Sequence, residues 1–376
     1  MEEIEKKLNN QEKFTIRLKS NGDFNKKITF KDKVKGTLQL PENDIDHVLM
    51  KSDEIPPYAF AHVVDDYLMR VTLVIRDDSY ISSVPYHLEI WQAFGFKTPN
   101  YAHIAPLNKK DGACIRKLSK RKDPEAAVIY YNEKGIPEEA IKLYFATLLN
   151  SNFEEWYNAN PTKSINNFKF TFEKMAKCGP IFDVEKLNNI SKTYFSRLKA
   201  LEIYEKALEY YKIYDQDFYN ILNNNKDYTI KILNIEREIP KPRKDISCYQ
   251  DIKEQTSYMF DELFSINNYQ DIIKKGFYNY KILEEYFNNI YNKEDEKEVW
   301  WNKVKEYSTK HNFCPDVKEY KMCQGNYCGH VGDFCELIRV SITGRNITPD
   351  IYEILKLLDK TSIEKRIKLF ASCLNK

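Results

Sequence analysis

Residues 51–96, KSDEIPPYAFAHVVDDYLMRVTLVIRDDSYISSVPYHLEIWQAFGF, decide the fold of this chain. Positions 59–69 carry apolar residues at mixed helical spacing. Val71, Thr72, Leu73, Val74 and Ile75 run continuously apolar or β-branched up to Arg76, the pattern of a strand buried on both faces. Ser83 reads as an N-cap and, with Pro85, opens a helix over residues 86–94 that Gly95 closes. Strand, turn and helix in that order make half of an α/β unit.

Upstream, KFTIRLKS, KKITFKD, TLQL and HVLMKS lie between residues 13 and 52 and alternate or run apolar. Turn-forming stretches separate them, so they predict a small antiparallel β patch. Downstream, residues 109–122, KKDGACIRKLSKRK, hold seven basic side chains and one acidic one. Asp111-Gly112 supplies a turn, and the segment reads as a loop. From Pro137 onward helices dominate. Glu138 and Glu139 suit a helix N-terminus, with Ile141, Tyr144, Phe145 and Leu148 as the apolar stripe. Leu201, Tyr204, Leu208 and Tyr211 form a second stripe, and Ile351, Ile354, Leu355 and Leu358 a third behind Thr348-Pro349-Asp350. Thr361 and Glu364 have the spacing of a capping box. Residues 240–244, PKPRK, read as a linker or hinge, and the charge run at 292–298 as solvated surface.

The chain has 376 residues, enough for two to three domains. Hydrophobic residues at 42% rule out wholesale disorder. A net charge of only +2, from 58 basic and 56 acidic residues, excludes a globally basic nucleic-acid binder and confines any polyanion site to a local patch. Eleven glycines are too few for many tight hairpins, so helices are expected to prevail. The N-terminus lacks the apolar core of a signal peptide, no window approaches a membrane span, and eight cysteines suit reduced thiols. A cytoplasmic protein with no membrane and no DNA partner is expected.

The basic segment contains Lys117-Leu118-Ser119-Lys120-Arg121. Mobile ammonium groups, a hydroxyl and exposed backbone N–H groups suit a triphosphate. KLSKR resembles the KMSKS-type signature of class I aminoacyl-tRNA synthetases, in the form typical of glutamyl-tRNA synthetases. The stretch at 51–96 resembles that family's run from KSDG-x-PTYHxA through VVDD and THVIRGEEWL to a helix ending in Gly-aromatic. KDPEAAVIYYNEKGIPEEAI, LLNSNFEEWYNANP and KMAKCGPIFDVEKLNNISK resemble its stem-contact region, and GHVGDFCELIRVSITGRNITPDIYEILKLL its anticodon-binding domain. The resemblance runs in one order from about residue 13 to residue 370.

It implies a fold of α/β plus all-α: the C-terminal half of a class I Rossmann catalytic domain, with a remnant of an inserted β-containing acceptor-binding segment, then helical stem-contact and anticodon-binding domains. The expected bounds are residues 1–50 for the inserted remnant, 51–108 for the Rossmann half, 109–195 for the KLSKR loop and stem-contact region, and 196–376 for the anticodon-binding domain. It also implies ATP as substrate with Mg2+ accompanying it, and tRNA as partner. Lys120 would stabilise the adenylation transition state, with Lys117, Leu118, Ser119 and Arg121 completing the ATP loop. Tyr58, His62, Arg76 and Tyr80 would line the glutamate pocket, Arg76 facing a carboxylate and His62 donating a hydrogen bond. The alternatives are a core position for Tyr58 and a structural ion pair with Asp65 or Asp66 for Arg76.

The departures cluster at that pocket. Glu54 replaces the Gly of KSDG, and Pro57 and Ala59 replace the Thr and His of PTYH. Tyr67 and Leu73 replace two further histidines, Asp77 replaces the small residue after the strand Arg, and Ser79-Tyr80 stands for Glu-Trp. Asp77 beside a substrate carboxylate would weaken binding. The sequence also contains no H-x-G-H; Gly329-His330-Val331-Gly332 lies in the anticodon-binding match. The chain therefore resembles a family member without its first part, roughly one domain's worth. It is expected to be inactive in amino-acid activation alone and to depend on a separate HIGH-bearing half. The alternatives are a non-catalytic tRNA-binding protein and a gene remnant. Cys323, Cys328, His330 and Cys335 come close to zinc-ligand spacing without a clean second pair, and no metal is assigned to them. Trp300 is read as core. Lys117, Arg116, Lys122, Arg243, Lys244, Arg339, Arg345 and Arg366 are candidates for a stripe that meets tRNA phosphates.

Overall fold

The βαβ turn at the centre of the chain is complete. In the computed structural model, which describes residues 2–266 and 280–374, strand β5 (Leu73–Asp77) pairs in parallel with strand β6 (Asn100–Ile104), Leu73 opposite Asn100 and Asp77 opposite Ile104. The crossover runs through a 3-10 turn (Asp78–Ser83) and helix α3 (Val84–Ala93), which follows the earlier α1 (Glu2–Asn9) and α2 (Tyr58–Leu68). Gly95 closes α3 with φ +63, a conformation that costs glycine nothing. The sequence pattern showed only the first half of this unit, because β6 is five residues of ordinary composition.

Two local expectations fail here. Ser83 does not cap α3: its hydroxyl bonds the carbonyl of Tyr80, within the 3-10 turn that precedes the helix. The apolar run of β5 is not buried on both faces. Ile75 is 56% exposed and the other residues are half-buried. The reason is topological, since β5 has a neighbouring strand on one side alone among the described residues.

The N-terminal strands form as read. β1 (Ile16–Arg17) pairs antiparallel with β4 (Val48–Met50), and β2 (Lys27–Asp32) with β3 (Gly36–Pro41). Asp32 closes the β2–β3 turn by accepting from the amides of Val34 and Lys35. The same turn covers the far side of β6, where the Lys33 amide donates to the Tyr101 carbonyl. Phe30, Val84 and Tyr101 pack there, and Leu49, Val63, Tyr86, Ile90 and Trp91 pack between α2 and α3. Buried Trp91 donates to the Tyr101 hydroxyl at 3.0 Å, so the largest side chain satisfies its one polar atom. The basic segment is a hairpin and not a plain loop. β7 (Asn108–Asp111) and β8 (Cys114–Lys117) pair antiparallel around Gly112 at φ +62, and the irregular chain begins at Leu118.

Two compact units emerge, residues 1–126 with 142–184, and residues 127–141 with 185–376. Among its described residues the second is all helical apart from one short parallel pair, Phe313–Cys314 with Gly329–His330. Phe218, Leu222, Tyr286, Phe334, Leu355 and Phe370 are among its fully buried residues. The stripe on helix Ala200–Tyr214 is Ile203, Tyr204, Ala207 and Tyr211; Leu201, in the first turn, is exposed. Asp350 caps helix Ile351–Leu357 through the Tyr352 amide. The last helix is capped by Asp359, which accepts from the Ser362 amide, and not by Thr361. Residues 240–244 connect helices of this same unit, and the charge run at 292–298 is largely exposed as expected. Trp300 is core, as read. Arg366 is not surface at all. Its guanidinium is 1% exposed and bonds Asp261 and the carbonyls of Met259 and Ile342.

Candidate functional site

The C-terminal end of β5 delivers Arg76 into a ring of histidines and tyrosines. Its Nε donates to His103 Nε2 at 3.1 Å, and one terminal nitrogen lies 3.1 Å from His87 Nδ1. The guanidinium stands 5.0 Å from the Tyr101 ring centre and 5.3 Å from that of Tyr80. Nη1, the other terminal nitrogen, is buried without a partner. A buried guanidinium N–H left open costs free energy unless a ligand or water takes it, so the fork is aimed at an acceptor.

The histidine tautomers follow from their partners. His103 Nδ1 is 2.7 Å from Asp32 Oδ2, and Asp32 also accepts the His103 amide. The carboxylate takes the Nδ1 proton, which leaves Nε2 as the acceptor that Arg76 needs. Burial lowers the pKa of His103, against the opposing pull of Asp32, and drives His87 down to about 3. Both rings are therefore neutral beside the guanidinium. They orient it without adding charge.

Tyr58, His62, Arg76 and Tyr80 do come together. Tyr58 stacks on His62 with ring centres 5.5 Å apart and lies 5.8 Å from Tyr80. His62 meets His87 edge-on at 4.7 Å. Tyr58 is 58% exposed, so it stands on the open side of this cluster and is not a core residue. Arg76 makes no ion pair with Asp65 or Asp66; Asp66 belongs to His62, 2.8 Å from its Nδ1. That contact engages Nδ1 as the donor of the neutral ring, and Nε2 is buried without a hydrogen-bond partner.

Next along β5, Asp77 Oδ2 lies 2.8 Å from Lys117 Nζ. Burial tends to raise the Asp77 pKa, but hydrogen bonds from Lys117 and Ser79 overcome it and hold the carboxyl below its ordinary value. The acid that seemed a liability for a carboxylate substrate is thus neutralised by the first residue of KLSKR.

The rest of that sequence is organised by Asp123. This buried carboxylate accepts both terminal nitrogens of Arg116, at 2.7 and 2.8 Å, and the Ser119 amide at 2.8 Å. Lys109 joins it at 3.3 Å and also pairs with Glu125. The paired Arg116 holds Asp123 well below the usual carboxylate range. The Leu118 amide donates to the Leu107 carbonyl, fixing the base of the turn. Lys120 and Arg121 stand at its tip, exposed. A rigid stem with free cations at the tip suits a ligand whose negative charge moves during reaction.

His87, His103, Asp32 and Asp123 have no signature spacing; Asp32 and His103 lie 71 positions apart. The cysteine cluster has structural employment. His330 caps helix Val331–Thr343 with Asp333, and the Cys328 thiol bonds the Asn312 carbonyl. Among the described residues no group of three or more His, Cys, Asp or Glu side chains could hold a metal ion.

Comparison with known proteins follows this geometry. Residues 1–189 match the family described as tRNA synthetases class I (E and Q), catalytic domain, and residues 173–371 match the anticodon binding domain family. The glutamate–tRNA ligase of Acetivibrio thermocellus is 41% identical over 369 residues, covering 98% of this chain and 67% of that protein. That of Clostridium beijerinckii is 39% identical over 373 residues, with 98% and 68% covered. The chain thus spans about two thirds of the length of these relatives. A crystal structure of a glutamate tRNA ligase from Elizabethkingia meningosepticum in complex with its amino acid superposes with a TM-score of 0.75 at 21% identity, over 99% of this chain and 71% of that one. The fold is a class I catalytic-domain fold followed by an anticodon-binding domain, mostly helical with a few small sheets, as the sequence implied.

Proposed function

Because the chain belongs to the glutamate–tRNA ligase family of class I aminoacyl-tRNA synthetases, we propose that it serves ATP-dependent glutamylation of tRNA, with its amino-acid pocket around Arg76. The observation that carries this reading is the buried, unpartnered Nη1 of Arg76, whose guanidinium packs against the rings of Tyr101 and the exposed Tyr80. A carboxylate there would meet one positive charge held by neutral histidines, in a setting where that charge is poorly screened. The glutamate carboxylate oxygen then attacks the α-phosphorus of ATP, and pyrophosphate leaves as the acyl–phosphate bond forms. Lys120, at the tip of the turn, is the group we assign to the charge that develops there, with Ser119, Leu118 and Arg121 shaping the turn and Lys117 holding Asp77 aside. Mg2+ would come bound to the nucleotide phosphates, since the described residues provide no ligand cluster of their own. The helical second unit, which contains most of the anticodon-binding match, would hold tRNA, and the protein would work in the cytoplasm. Residues 1–50 fit the remnant of an acceptor-binding insertion, 51–108 the Rossmann half, 109–195 the loop and stem contacts, and 196–376 the anticodon-binding part.

The HIGH signature does not occur in these 376 residues. We assign its phosphate-binding histidines to polypeptide outside them. Among the described residues β5 pairs with β6 alone, and Ile75, Leu68 and Met69 are exposed, an open strand edge and apolar surface suited to receive such a segment. The test is ATP–pyrophosphate exchange with glutamate. These 376 residues alone should give none, and adding the HIGH-bearing segment of a relative should produce exchange that Arg76→Ala abolishes. Exchange without the added segment overturns the dependence. Exchange indifferent to Arg76→Ala overturns the pocket.

A further inference from the structure

In this cluster two buried atoms of opposite character have no hydrogen-bond partner: Nη1 of Arg76, which can only donate, and Nε2 of His62. The His62 tautomer is set by Asp66, one turn further along α2, whose Oδ2 lies 2.8 Å from Nδ1. The proton therefore sits on Nδ1, and Nε2 of the neutral ring carries a lone pair. The groups facing His62 are Asp65 and Asp66 from its own helix, Arg76 from β5, His87 from α3, and Tyr58 stacked over it. Burial is the largest influence and lowers the His62 pKa; Asp66 opposes it and Arg76 reinforces it. At neutral pH the ring is uncharged.

Glutamate has two carboxylates, and each of them only accepts; its one donor is the α-ammonium group. One carboxylate satisfies Arg76. The other, brought to His62, meets a lone pair unless the ring takes up a proton. An amide end carries its own N–H and needs none.

Resting on the reading of this cavity as the amino-acid pocket, we propose that His62 reads the side-chain end of the substrate, accepting an amide end while neutral and a carboxylate end only with uptake of one proton. Glutamate affinity then falls about tenfold per pH unit above the His62 titration, because each bound ligand carries one extra proton. Glutamine affinity stays level.

The chain has six histidines, so ring signals from 13C-histidine-labelled protein are resolvable by NMR. Glutamate and glutamine are titrated to tens of millimolar between pH 5.5 and 8.5, with His62→Asn assigning the His62 signal. Glutamate should move the His62 ring toward the imidazolium position and raise its titration midpoint, while glutamine moves it without protonating it. His62→Asn supplies a donor at every pH and should flatten the pH dependence for glutamate. Glutamate binding that is level with pH, with His62 neutral in the complex, overturns the proposal and leaves the pocket reading intact; it would mean that the ligand's ammonium group occupies Nε2. No response to either amino acid at any pH overturns both.

Discussion

Asp32→Asn tests the chain of hydrogen bonds that aims Arg76. Asp32 is 3% exposed and its carboxylate accepts four protons: from the amides of Val34, Lys35 and His103, and from His103 Nδ1. Asparagine keeps the shape but turns one oxygen into a donor. If the new NH2 faces the turn, the Val34 and Lys35 amides lose their acceptor. If it faces His103, Nδ1 loses its acceptor and the amide of that residue keeps only its longer contact to Oδ1, at 3.3 Å, and a tautomer swap only moves the conflict on, setting an Nε2 proton against the Nε proton of Arg76. Either arrangement strands or weakens two donors. At about 1–3 kcal/mol for each buried donor left open, and with the Lys35 amide partly wet, the expected loss is about 2–4 kcal/mol. Hydrogen exchange read by mass spectrometry on peptides spanning residues 27–41 and 98–106 should speed up about 30- to 700-fold, at one decade per 1.4 kcal/mol. Glutamate binding should weaken as well, because Arg76 is no longer held. Exchange within about threefold of the unmodified protein would refute the accounting, and with it the view that Asp32 sets the His103 tautomer.

Phe153→Ala removes a fully buried ring that packs against Trp156, Tyr157, Phe168 and Phe170, and should destabilise the first unit by about 3–5 kcal/mol in urea unfolding. Asp123→Ala should release the KLSKR turn, seen as faster tryptic cleavage at Lys120 and Arg121 in the folded protein, since Arg116 and the Ser119 amide lose their common acceptor. Arg366→Ala opens a buried network and leaves the carbonyls of Met259 and Ile342 unmet, at about 3 kcal/mol in the second unit. Burial pushes the Asp261 carboxyl up, but Ser362 and Arg366 pull it net below its ordinary value. The stability it contributes is therefore present above the unfolded pKa of about 4 and is lost as pH falls through the folded value. Acid unfolding of the unmodified second unit should show that loss, and Arg366→Ala should diminish it.

The parts of this molecule that were legible in sequence are those set by near neighbours. Alternation over residues 13–52 marked the strands, and the periodicity before Leu358 marked that helix. Tyr58, His62, Arg76 and Tyr80 were assembled by resemblance, and they meet in space. What stayed hidden depends on distant partners. No spacing links Asp32 to His103, yet that pair decides which nitrogen faces Arg76. Ile75 looked buried because a β-branched run says nothing about how many strands flank it. Arg366 looked like surface because a lone arginine in an amphipathic helix usually is, and only Asp261, 105 positions away, draws it inward.

The seven cations of residues 109–122 are not equal in their dealings with the solvent. Lys109, Arg116 and Lys117 are already matched to Glu125, Asp123, Asp111 and Asp77. Cations already held in ion pairs neutralise few phosphates, so they displace few of the counterions condensed on a polyanion. Lys110, Lys120, Arg121 and Lys122 are the four that would displace them when a polyanion docks. The logarithm of affinity should therefore fall with the logarithm of salt at a slope of about −3, where seven unpaired charges would give about −5. The acids built into the stem of the turn make this segment a weaker salt sensor than its composition suggests.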